Sequence, residues 1–106
     1  MKVTPEINKR VAEAMGLKIR RRKADNTYFY ELSGMYYSDY FNPDKDAEQC
    51  LKVLEHFKIG VYWDDSTEMW TSHCNVFDQC EVIVHHADCL SAVVLAANEF
   101  IINTKK

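Results

Sequence analysis

Glycine and proline are scarce in this chain of 106 residues, with three Gly and two Pro. That excludes a collagen-like or linker-rich polymer. The three Gly lie far apart, so a glycine-rich phosphate loop is excluded as well. No apolar run approaches the roughly 18 residues of a membrane span. Met1 to Glu6 hold no apolar signal-peptide core, so a cytoplasmic protein is expected. The four cysteines, Cys50, Cys74, Cys80 and Cys89, contain no C-x-x-C spacing. Neither a redox pair nor a standard zinc knuckle is therefore expected. There is no G-x-S-x-G, no P-loop, no dinucleotide glycine pattern and no H-E-x-x-H.

What is present is ordinary globular composition: 47% apolar, 27% charged and 12% aromatic residues. This length and content predict one domain spanning residues 1–106. The net charge of −3 suggests neither a nucleic-acid binder nor an acidic tail. It is unevenly shared. Residues 1–30 carry eight basic and three acidic groups, and the remainder carries five and thirteen. A basic and an acidic surface follow from such asymmetry, unless both are simply solvated faces.

Thr4 caps, and Pro5 opens, a helix over 5–15, with Ile7, Val11 and Met15 as its apolar stripe and Gly16 as its stop. Period two over 17–23 and the strand formers of 27–32 predict a hairpin around Ala24-Asp25-Asn26. Ser33 to Tyr40 reads as an aromatic loop over the next helix. That helix is expected over 44–58, capped by Asn42 or Asp44, with Ala47, Cys50, Leu51, Leu54 and Phe57 facing the core. Gly60 should end it. Strands at 61–63, 69–76 and 80–85 form a meander, with Asp64 to Thr67 as a turn. In the last strand Cys80, Val82 and Val84 share one face, and Glu81, Ile83 and His85 the other. A final helix starts near Asp88 and runs to about Ile102. The expected fold is α+β, with an antiparallel sheet of about five strands, three helices and the order α-β-β-α-β-β-β-α.

Several local motifs carry a family resemblance. They are Ile7-Asn8-Lys9-Arg10-Val11-Ala12-Glu13 with Gly16, and Phe41-Asn42-Pro43-Asp44-Lys45-Asp46-Ala47. To these add Val61-Tyr62-Trp63-Asp64-Asp65 with Trp70, and Ala87-Asp88 leading to Ala92-Val93-Val94-Leu95-Ala96-Ala97. In these and in its element order the chain resembles small bacteriophage proteins. The similar families are the phage ABA sandwich domain, a sheet between helical layers, and the NinX-like proteins of lambdoid phages. The resemblance implies a phage or prophage accessory protein that binds and blocks a machine in the host cytoplasm.

His73, Cys74, Cys80, His85, His86 and Cys89 gather soft metal ligands in one stretch, but buried thiols and surface imidazoles are the expected reading of them. Cys74 or Cys89 beside one of these histidines would be a Cys–His pair only by chance proximity. Asp64, Asp65 and Glu68 sit where a turn expects acids. No catalytic residue, metal or cofactor is assigned, and a non-enzyme is expected. The leading reading is protein–protein binding to a host protein or complex, plausibly inhibiting a defence or nucleic-acid-processing complex. Its acidic surface is Asp39, Asp44, Asp46, Glu48, Glu55, Asp64 and Asp65, and its aromatic contacts are Tyr36, Tyr37 and Tyr40. The alternative is a nucleotide- or nucleic-acid-binding protein using Arg20, Arg21, Arg22 and Lys23.

Overall fold

A computed structural model describes residues 2–21, 28–32, 35–77 and 80–104, and their side chains over 2–18, 41–74 and 81–104. Helix α1 spans Pro5–Ala14, with Thr4 as N-cap accepting from the Ile7 amide. Strands β1 (Lys18–Arg21), β2 (Tyr28–Leu32) and β3 (Met35–Tyr40) follow. Helix α2 is Ala47–Phe57. Strands β4 (Gly60–Asp64), β5 (Met69–Phe77) and β6 (Cys80–His86) precede helix α3 (Cys89–Thr104).

The described strands form two antiparallel three-stranded sheets, β1-β2-β3 and β4-β5-β6. The expected single sheet of about five strands is thereby corrected. The strand count differs at Met35–Tyr40, which is a strand and not a loop, and among the described residues no pairing joins β1-β2-β3 to β4-β5-β6. Tyr-rich runs fit a pleated sheet. The β2–β3 register shifts between Phe29 and Glu31. Such an irregularity goes with a strand whose apolar residues do not alternate, so period-two reading passes over it.

The core is built around α3. Ala92 through Asn98 are all buried, which is the signature of a helix enclosed on every side. Its neighbours are β4, β5 and β6 on one side and α1 and α2 on the other, while α1 also meets β1 and β2. Helix α3 thus lies against the second sheet and against both other helices. Ala92, Ala96 and Ala97 have no exposed surface, and their small side chains leave room for the elements packed around them. Ser72 donates to the Ala92 carbonyl at 2.6 Å, which fixes the sheet against the helix. Arg10 donates to the buried Asn98 at 2.6 Å, tying α1 to α3.

Helix α2 is rotated from the expected stripe. Asp46, not Asn42 or Asp44, is its N-cap and accepts from the Gln49 amide. Gln49 is buried because its Oε1 accepts from the Asn42 amide at 2.8 Å. Cys50, Val53 and Phe57 therefore face inward, and Leu51 is left 54% exposed. Lys58, in the left-handed conformation, closes the helix where Gly60 was expected to. Gly60 instead begins β4.

Candidate functional site

The second sheet has one face on α3 and one face open among the described residues. On β5, Ser72 points to Ala92 and Cys74 to the Ala96 carbonyl, so alternation turns Thr71 and His73 to the opposite face. Cross-strand pairing sets Tyr62 and His85 on either side of Thr71, and Gly60 and Ile83 on either side of His73. Asp64 pairs with Met69 at the hairpin end of the same face. Tyr62 is 51% exposed, Ile83 55% and Met69 39%.

Polar contacts hold this face in shape. Thr71 is buried even though it lies on the open side, and its Oγ1 is 2.9 Å from His85 Nδ1. His73 Nδ1 is 3.7 Å from a carboxylate oxygen of Glu81. A Cβ at Gly60 would lie 2.6 Å from His73 Nε2. The missing side chain of Gly60 is thus what lets the His73 ring lie across β4, where its centroid is 6.2 Å from that of Tyr62. The result is a surface of rings and aliphatic groups with two imidazoles, His73 and His85, and two carboxylates, Glu81 and Asp64.

The acidic residues expected to form a surface are spread over several elements. Asp46 caps α2, and Asp44 accepts from the Asn8 amide group at 3.1 Å. Glu48 lies in the first turn of α2 and Glu55 is exposed two turns later. Asp64 accepts from both the amide and hydroxyl of Ser66, the hydroxyl first in importance, and these bonds hold its carboxyl below the usual range. Asp65 accepts from the Trp63 indole at 2.9 Å. Four of these acids therefore have structural partners, three of them local and one, Asn8, on α1. Asp39, Tyr36, Tyr37 and Tyr40 lie on β3, and their side chains fall outside the described residues. Arg20 and Arg21 lie on β1, again without described side chains, and Arg22 and Lys23 fall outside the described residues altogether.

The Cys and His residues are separated by strand alternation. Cys74 points into the core and His73 out of it. Among the described residues no three His, Cys, Asp or Glu side chains converge on a metal-sized site. The side chain of Cys80 falls outside the described residues. Burial, with the acids nearby, pushes the Cys50 thiol up to about 12. Burial likewise raises Cys74, with Glu81 second, and Cys89, with Asp88 second. Raised thiols are poor nucleophiles and poor metal ligands at neutral pH.

Reading the sequence for acids and exposed tyrosines passed over this open face. Its signal was the alternation that set Glu81, Ile83 and His85 apart from Val82 and Val84. The buried Thr71 and the cradle at Gly60 carry no such signal, because both depend on cross-strand neighbours.

No protein-family model and no curated protein sequence matches the chain. Its fold is similar to that of a solved phage protein from Bacillus cereus ATCC 14579. The TM-score is 0.66, the sequences are 19% identical, and the match covers 92% of this chain and 91% of that one. The fold is therefore one found in a phage protein, as the resemblance implied, and the likeness to the NinX-like family finds no support. Within the described residues no helix is long and apolar enough to cross a membrane.

Proposed function

We propose that the chain is a non-catalytic, phage-type accessory protein that binds a host protein through the open face of its second sheet. One observation carries this reading. Tyr62, Met69 and Ile83, three of the large apolar side chains left exposed, share a single sheet face that no described element covers. Clustered exposed apolar side chains mark binding surfaces more often than scattered ones do. Tyr is also enriched among residues that dominate interface energetics. The fold shared with a phage protein favours an accessory role in the host cytoplasm. Blocking a defence or nucleic-acid-processing complex is the finer form of the proposal, since a rigid face of this kind acts by covering a partner's working surface. The raised thiols and the split of the Cys and His residues across two faces favour a binder over a thiol enzyme.

Capture from a bacterial lysate on the immobilised chain, with and without nuclease, tests the proposal. A discrete protein partner retained after nuclease treatment is the expected result. Recovery of nucleic acid with no protein would overturn it and favour the Arg20–Lys23 alternative.

A further inference from the structure

Strand β6 is the outer strand of its sheet, and its second edge pairs with no strand among the described residues. Edge strands are commonly protected by Lys, Pro or a bulge. The segment Glu81-Val82-Ile83-Val84-His85 has no Lys or Pro, and its register against β5 is regular, the one irregularity lying between Asn75 and Phe77. Ile83, at its centre, is 55% exposed. We infer that this edge pairs with the same edge of a second copy of the chain, joining two three-stranded sheets into one antiparallel sheet of six.

The register follows from parity. Two copies related by a two-fold axis keep equal faces together only if the axis passes through a residue and not between two. An axis through Ile83 pairs the whole of β6 with its mate. It sets Ile83 against Ile83, Val82 against Val84, and Glu81 against His85 in both directions. Axes through Val82 or Val84 shorten the overlap and set Ile83 against Glu81 or His85. The segment is thus complementary to itself in shape, and it sets a carboxylate against an imidazole at both ends. Its acid meets an imidazole already held on the outer face by Thr71. Its most exposed aliphatic side chain is covered by its own symmetry mate. A groove of about 380 Å³ beside β6, lined by Val84, Leu95, Glu99 and Asn103 among others, offers space for side chains of the copy. Tyr62, on the far strand β4, and Met69, on the central strand β5, take no part in this edge. Ile83 is shared with the partner face proposed above, so Tyr62 and Met69 separate the two readings: replacing them should leave this pairing unchanged.

Sedimentation over a range of protein concentrations tests the inference. The wild-type chain should show a monomer–dimer equilibrium. Ile83→Lys places like charges on the axis and should weaken the dimer by roughly tenfold or more. Glu81→Lys and His85→Glu should each weaken it when alone. An equal mixture of these two should restore a dimer, because the mixed pair sets the introduced Lys against the introduced Glu at one position and keeps the native Glu81–His85 pair at the other. That rescue also shows that the two variants fold. A wild-type chain that stays monomeric into the sub-millimolar range overturns the inference. So does a dimer indifferent to Ile83→Lys, or a mixture that fails to pair.

Discussion

At the scale of single residues, burial decides more than residue type. Cys50 reads from the sequence as a small core hydrophobe, and the structure places it there, 3% exposed. Its thiol, raised from 9.0 to about 12, stays protonated in the folded state where the unfolded chain has released its proton. The stability it contributes is fully present below pH 9 and is lost as the pH rises from about 9 towards 12. Urea midpoints measured across that range should therefore fall more steeply for wild type than for Cys50→Ala. Asn98 makes a second case. It is buried and accepts from Arg10 at 2.6 Å. Asn98→Ala should destabilise the fold by about 1–3 kcal/mol, read as a lower urea midpoint, because the Arg10 donor loses its partner. Neither this bond nor the His73 ring over Gly60 was legible in the sequence. Both join residues far apart in the chain, and side-chain periodicity carries no information on such pairs.

At the scale of elements, caps and periods were legible where local chemistry governs. Thr4 and Pro5 mark the start of α1, and the meander of β4, β5 and β6 follows the alternation of its residues. The sequence misled where tertiary contacts override local pattern. Gln49, bonded to Asn42, turned α2 so that Leu51 faces solvent, and pairing with β2 drew the aromatic run of β3 into a ladder. Some of the acids around α2 also have a structural task. Asp46 has a local task there: Asp46→Ala should cost about 1 kcal/mol of stability through loss of the N-cap, whereas Glu48→Ala should change it little. In α3, Ala96 is fully buried where the helix meets β5. Ala96→Leu should cost about 1–3 kcal/mol by overpacking, measured by urea unfolding.

At the scale of the whole molecule, α3 packs against both other helices and against one face of the second sheet. Two sheet surfaces of a short chain cannot both be buried by one helix, and the outer face of β4-β5-β6 is left over. The α+β character was legible in the periods of the elements, whereas the number of strands and their division into two sheets were not. The location of the face was not legible either, because it depends on which side of the sheet α3 covers. The central claim is that this face holds the partner, and it is tested most directly by comparing two variants of the immobilised chain. Tyr62→Ser with Met69→Ser removes two exposed apolar groups of the face, and Leu51→Ser removes one on α2. Partner retention and the urea midpoint are measured side by side. The account predicts that the Tyr62/Met69 variant loses the captured protein with its midpoint unchanged, while the Leu51 variant keeps both. Undiminished capture by the Tyr62/Met69 variant would contradict it.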